Sequence, residues 1–308
     1  MEILYVHCGT NKTGTSALQF TLSNNVIPNI NYLKKGRDPL YGTAHHPVAL
    51  NLRKNIFDVE LLKDLVPGVK NIISSERFFE LSDENWAYFK SCMPDGWMIV
   101  PILYFRHPIP YMISWYQQNI EMGKIANFQK WADLVRYDYQ TVLNRILKVN
   151  DESIIKVYER DKLNGKDICI DFFSSIGISY SHNNLAQNNP SINGDSLKLL
   201  CGLIEASEKF NLDKDGITKA IRILARKRND IGNMQLVERD LDFLLSSQAN
   251  NIKTYLGFGG SNLPLDKYKD SAAVEPLGKE IYYALSGKKI LRPAAFAQAL
   301  NLWMKSVD

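Results

Sequence analysis

Residues 2–19 set the reading of the whole chain: Glu2-Ile3-Leu4-Tyr5-Val6-His7-Cys8-Gly9-Thr10-Asn11-Lys12-Thr13-Gly14-Thr15-Ser16-Ala17-Leu18-Gln19. The first six residues form an apolar, β-favouring run with little polar alternation, the pattern of a parallel strand buried on both faces. A glycine-containing loop follows directly, and helix-forming sequence resumes at Thr15. A strand, a glycine loop and a helix N-terminus make an anion site, because backbone N–H groups converge there and the helix dipole adds positive potential. Thr13, Thr15 and Ser16 add hydroxyls, and Lys12 adds a full charge. Without a ligand, the same residues read as a Gly/Thr turn joining strand to helix.

Working outward, three more β-like runs appear at Lys70–Ser74, Ile99–Phe105 and Ile154–Tyr158. Helical patterns separate them: Thr15 toward Asn25, Val59–Val66, Asp83–Met93, Pro108–Met122 and Phe128–Val149. Strand alternating with helix predicts a three-layer α/β fold around a central parallel sheet. Past about residue 180 the character changes. A polar stretch precedes long helical patterns from Gly194 to about Phe210 and from Asp215 to about Ser247. A Gly/Pro-rich segment, Gly257–Pro264, and a helical tail near Ala294–Lys305 come last. The expectation is one domain over 1–308, with a nucleotide-binding core over 1–180 and a mainly helical extension over 181–308 packed on it.

Composition narrows the class. A net charge of +4 over 308 residues is too weak to argue for nucleic acid, yet suits an anionic ligand. Cys8, Cys92, Cys169 and Cys201 are widely spaced, without a CxxC pair, so neither a disulfide framework nor a structural zinc site is expected. The N-terminus lacks the features of a signal peptide, and the longest apolar run, Met98–Phe105, is too short to span a bilayer. These features predict a cytoplasmic protein without a transmembrane segment.

The loop compares first with the nucleotide-triphosphatase motif GxxxxGK[ST]. Gly9, Gly14 and Ser16 match its spacing, but Thr15 stands where that motif needs lysine, and the lysine lies inside the loop at Lys12. A second anion element is readable at Arg106-His107-Pro108-Ile109-Pro110-Tyr111-Met112-Ile113-Ser114. Arg106 follows the third of these strands, where open α/β sheets bind ligands, and Pro108 suits a first helical turn. An arginine fork with a hydroxyl matches a terminal phosphate. Taken singly, Arg106 also fits a strand-end salt bridge, and Ser114 a hydroxyl bonded to its own helix.

The segment Gly9-Thr10-Asn11-Lys12-Thr13-Gly14-Thr15-Ser16 resembles the 5′-phosphosulfate loop of sulfotransferases that use 3′-phosphoadenosine-5′-phosphosulfate (PAPS), especially their bacterial and carbohydrate-modifying branch. The Arg106–Ser114 element resembles the 3′-phosphate element of the same family, with Ser following Arg by eight residues. Asn71–Phe79 and Val157–Ile178 are looser likenesses, so the resemblance covers roughly residues 1–195. The Arg-Lys-Gly element of the cytosolic small-molecule branch is not evident. The resemblance implies a P-loop NTPase-like sulfotransferase fold, PAPS as donor, adenosine 3′,5′-bisphosphate (PAP) as product and no metal. Lys12 would assist sulfuryl departure; Gly9, Thr10, Asn11, Thr13, Gly14, Thr15 and Ser16 would hold the phosphosulfate, and Arg106 with Ser114 the 3′-phosphate. The acceptor implied is a hydroxyl or amine, most naturally of a carbohydrate or glycoconjugate.

A base must take the acceptor proton. Glu76 follows the Lys70–Ser74 strand in Ser74-Ser75-Glu76-Arg77, and His45 and His46 sit just ahead of a helix-like run. Glu76 is favoured over the histidine pair. Glu76 also fits an ion pair with Arg77, and the histidines a helix-entry loop. Arg222, Arg226, Lys227 and Arg228 read as a solvated helix face, or else as a basic rim for an anionic ligand. Tyr158 and Glu159 read as bracing residues. Asn188, Asn189 and Ser191 are a loop placed to close over a nucleotide. Two other classes stay open: a P-loop kinase or NTPase, disfavoured by Thr15 and by Ser-Ser-Glu in place of a metal-binding Asp, and a nucleotide-binding protein without turnover.

Overall fold

In a computed structural model, residues 1–10, 12–39, 42–124, 127–134, 138–149, 152–181, 234–236 and 238–268 are described, together with Leu197, Leu200, Cys201, Leu203, Ile204 and Thr218. The chain divides into two compact units. The first holds Met1–Tyr111, Tyr137–Asn188 and Ser247–Leu263; the second holds Met112–Arg136, Asn189–Ser246 and Pro264–Asp308. The division is not sequential, since residues 247–263 return to the first unit after the chain has left it.

The first unit is built on β1 (Glu2–His7), β2 (Ile30–Tyr32), β3 (Lys70–Ser74), β4 (Trp97–Phe105) and β5 (Ile154–Val157). All pair in parallel, in the order β2-β3-β1-β4-β5. Side chains alternate between two apolar layers. Leu4, Val6, Cys8, Ile99, Leu103 and Phe105 enter one core; Tyr5, Val100, Ile102 and Tyr104 enter the other. This two-sided burial is why the strands read as continuous apolar runs.

The helices cover both faces. Leu18 and Leu22 of α1 (Thr15–Asn24), with Ile168, Phe172 and Phe173 of α7 (Ile168–Ser175), fill one layer. The other is filled from α2 (His46–Leu52), α3 (Asp83–Ser91), α6 (Tyr139–Val149) and α9 (Ala249–Gly257). Each fully buried leucine or phenylalanine contributes on the order of 1.5–3 kcal/mol. Local chemistry starts the helices. Ser82 and Asn85 form a reciprocal capping box on α3, and Asp167 accepts from Cys169 N and Ile170 N at the start of α7. The buried Asp171 carboxylate is matched by Lys156 Nζ at 2.7 Å, Tyr104 Oη at 2.6 Å and Asn164 N at 2.9 Å, which ties α7 to β4 and β5. A buried charge is tolerable only when its lone pairs are satisfied in this way.

Several sequence expectations shift. β2 is a fifth strand that the sequence reading omits, because three residues are too few to show a period. β4 begins at Trp97, two residues earlier than expected, and β5 ends at Val157. The Val59–Val66 pattern is a 3₁₀ helix over Val59–Asp64. The single helix expected over Phe128–Val149 is two, α5 (Phe128–Leu134) and α6. Asp138 accepts from Gln140 N and Thr141 N, so it starts α6 afresh. The helix expected over Asp215–Ser247 is interrupted: Met234–Leu236 is not helical, and Leu236 N donates to Tyr268 O at 2.8 Å before α8 (Glu238–Ser247) begins. α7 and α9 were not foreseen as helices. Asn11, Asn188, Asn189, Ser191, the Arg222–Arg228 cluster and the 294–305 tail lie outside the described residues. Among the described residues, no helix is long and apolar enough to cross a membrane.

Candidate functional site

Strand order places the site. After β1 the chain crosses toward β2, on one side; after β4 it crosses toward β5, on the other. The crevice between diverging crossovers, at the carboxyl ends of β1 and β4, is where open α/β sheets receive ligands. Both candidate anion elements read from the sequence start there, after β1 and after β4.

The loop after β1 is fixed by its backbone. Cys8 N donates to Ile102 O and Thr10 N to Tyr104 O, continuing the ladder with β4. The chain then turns through two left-handed positions, Lys12 at φ 68° and Gly14 at φ 75°. Glycine takes that conformation without a Cβ penalty, and a lysine there is uncommon. Gly14 also needs its missing side chain for space: a Cβ would stand 3.0 Å from Ile168 Cγ2 and 3.3 Å from Tyr158 Oη. Gly14 caps α1 with no side-chain hydrogen bond, and its carbonyl accepts from Ala17 N at 3.0 Å and Leu18 N at 3.1 Å.

The hydroxyls differ from one another. Thr13 and Thr15 are buried and Ser16 is exposed. Thr13 Oγ1 donates to Thr10 O at 2.6 Å, so its hydrogen is spent inside the loop. Thr10 Oγ1 is buried and has no hydrogen-bond partner. Gly9 is enclosed by polar groups. A Cβ there would lie 2.8 Å from His7 Nε2, 2.8 Å from Thr15 Oγ1 and 2.9 Å from Thr13 Oγ1. Lys12 is half-buried.

Arg106 leaves the end of β4 half-buried, and its Nη1 donates to Lys12 O at 3.4 Å. Its own carbonyl accepts from Tyr139 Oη at 2.5 Å. The structure therefore brings Arg106 to the lysine of the loop, 94 positions earlier in the chain. His107, next to it, has its pKa lowered to about 4, first by burial; the Arg106 charge adds to this and Glu159 opposes it. Ser114 lies further along α4 (Pro108–Glu121), half-buried, in the part of that helix belonging to the second unit. Glu159 accepts from Tyr255 Oη at 2.5 Å and Ser261 N at 2.6 Å, a bracing role for the end of β5.

The carboxyl end of β3 separates the three candidate bases. His45 is wholly buried. Its Nδ1 accepts from Ser74 N at 3.2 Å, which leaves Nε2 to carry the ring proton and donate to Leu33 O at 3.0 Å. Burial holds its pKa down to about 3. With both nitrogens committed to backbone, His45 acts as a strut between β3 and the chain leaving β2. His46 points the other way and is half-buried. Ser75 Oγ accepts from Arg77 N at 3.0 Å and meets His46 Nδ1 at 2.7 Å. Giving the Ser75 hydrogen to Nδ1 places the ring proton of His46 on Nε2, 3.8 Å from Glu76 Oε2. Glu76 starts the 3₁₀ helix Glu76–Glu80, and its Oε2 is buried without a hydrogen-bond partner. Arg77 pairs with Glu80 at 2.8 Å, and the ion pair of Glu76 with Arg77 weighed from the sequence is not among the contacts seen.

One residue of the site escaped the sequence reading. His7, the last residue of β1, is wholly buried beneath α1, and its Nδ1 lies 2.8 Å from Ser74 Oγ. The available signal was a lone imidazole ending an apolar strand directly before the glycine loop. No known family model matches the chain, and no curated protein matches its sequence.

Proposed function

We propose that this chain is a sulfotransferase, moving a sulfuryl group from PAPS to a hydroxyl or amine of an acceptor, with a carbohydrate or glycoconjugate as the acceptor class. The observation that carries the reading is the meeting of two separately legible anion elements, as Arg106 Nη1 reaches the carbonyl of Lys12 at the end of the central strands. A parallel sheet in the order β2-β3-β1-β4-β5, with the glycine loop after its middle strand, is compatible with a P-loop-like nucleotide fold.

The residues fit a phosphosulfate in three respects. The first turn of α1 has no side-chain cap, the Thr10 hydroxyl is buried and unspent, and Lys12 stands in the turn itself. In this reading the donor supplies an activated sulfuryl group with a phosphate leaving group. Lys12 stabilises negative charge growing on the leaving oxygen, an interaction strongest in the transition state. Arg106 binds the 3′-phosphate, the role that the sequence resemblance implies for it. Glu76 takes the acceptor proton, and the Nε2–H of His46 faces the same carboxylate. His45, locked to backbone on both sides, holds β3 in place for this.

The test is ligand selectivity. Adenosine 3′,5′-bisphosphate should raise the unfolding temperature with the logarithm of its concentration above Kd, whereas ATP should do so weakly. Equal shifts with the two ligands at matched concentration would sink two-site recognition. Turnover of ATP with Mg²⁺ would instead favour the kinase or NTPase reading.

A further inference from the structure

The buried histidine beneath the loop has one nitrogen accounted for and one that is not. Ser74 Oγ accepts from Gln19 Nε2 at 3.2 Å and lies 2.8 Å from His7 Nδ1. Giving the single hydrogen of Ser74 to Nδ1 places the proton of the neutral ring on Nε2. Burial keeps the ring neutral by holding its pKa near 3. Aromatic edges of Tyr104 and Phe172 flank the imidazole, which fixes its plane. Nε2 is buried and has no hydrogen-bond partner, a condition native proteins rarely leave unexplained.

The orphaned N–H is aimed at the loop. It converges with Thr13 Oγ1 and Thr15 Oγ1 on the inner side of Gly9, the side that a Cβ at position 9 would fill. The Thr13 hydrogen is already spent on Thr10 O, which leaves His7 Nε2–H as a donor without an acceptor at this point. We propose that His7 is a ligand of the anion held by this loop, donating its Nε2–H to an oxygen of the seated sulfuryl or phosphoryl group. The proposal rests on the reading of the loop as a phosphosulfate site. This point is enclosed, so seating the anion against Nε2–H requires the loop to lift from β1. The left-handed turns at Lys12 and Gly14 are where its direction changes. A neutral donor adds direction to the site without adding charge, complementing Lys12.

The experiment uses the full chain labelled with ¹⁵N-histidine, titrated separately with adenosine 3′,5′-bisphosphate and with inorganic sulfate. The Nε2 proton of His7 should shift strongly downfield at saturation. In calorimetry, His7→Asn keeps an amide facing Ser74 but ends short of Nε2, and should lose roughly ten- to a hundred-fold in bisphosphate affinity. His7→Gln, whose amide reaches the Nε2 position, should recover most of that loss. Tight bisphosphate binding that leaves the His7 signal unmoved, or parent affinity in His7→Asn, overturns the role of His7 while the nucleotide reading stands. A His7 shift with sulfate and bisphosphate at equal affinity supports His7 and removes the nucleotide. Binding of neither ligand removes both. The spectrum of the parent protein decides the matter even if the variants fail to fold.

Discussion

The loop after β1 and the turn after β3 are each braced by a buried neutral histidine, and the two histidines are used differently. His45 spends both ring nitrogens on backbone partners, whereas His7 spends one on Ser74 and leaves the other facing the glycine loop. Both belong to one chain of contacts, since Ser74 binds His7 through its hydroxyl and His45 through its backbone. Burial and a depressed pKa are common to both, so neither property separates a strut from a ligand. What separates them is the count of donors and acceptors left over once the protein has satisfied itself.

Acid should break both regions together, with the largest effect expected. Each ring has a folded-state pKa held near 3, against 6.5 for an ordinary histidine. Between those values the unfolded chain binds a proton that the folded chain refuses. The stabilising contribution is therefore complete above about pH 6.5 and is lost as pH falls toward 3, at roughly 1.4 kcal/mol per pH unit for each histidine. Urea unfolding at pH 7.5, 6 and 5 measures this. A flat profile would mean that the rings are already charged or already exposed.

Glu76→Gln sharpens the contrast between the regions. It removes basicity at the β3 turn while leaving the loop intact, so it should cost roughly a hundred-fold or more in single-turnover transfer, with bisphosphate affinity kept. Lys12→Ala should lose both rate and affinity. If Glu76→Gln transfers sulfate at the parent rate, His46 becomes the group to replace next.

Gly9→Ala acts on the loop alone. Its Cβ would enter a space bounded at 2.8–2.9 Å by three polar atoms, so the loop or His7 must move. The expected cost is about 1–3 kcal/mol of stability and about a ten-fold loss of bisphosphate affinity, roughly the worth of one hydrogen bond. Thermal melts and calorimetry report the two effects. An unaltered affinity would show that the inner face of the loop does not touch the ligand.

The sequence alone determined the parts whose physics is local. A parallel strand buried on both faces must be apolar throughout, so β1, β3, β4 and β5 could be read directly. A strand running into glycine, lysine and threonine at a helix start makes a candidate anion loop legible, because backbone N–H groups and the helix dipole are properties of neighbouring residues. Three-residue β2, the separate start of α6 at Asp138 and the break at Met234–Leu236 left weaker traces, since short elements show no period. Tertiary structure decided whatever depends on residues far apart. It carried Arg106 to the carbonyl of Lys12, and it set His46 against Ser75 and Glu76 while turning its neighbour His45 inward. It also buried His7 under α1 against Ser74. Adjacent histidines look equivalent in a sequence, because a side chain's hydrogen-bond partners are fixed by packing and not by its neighbours along the chain.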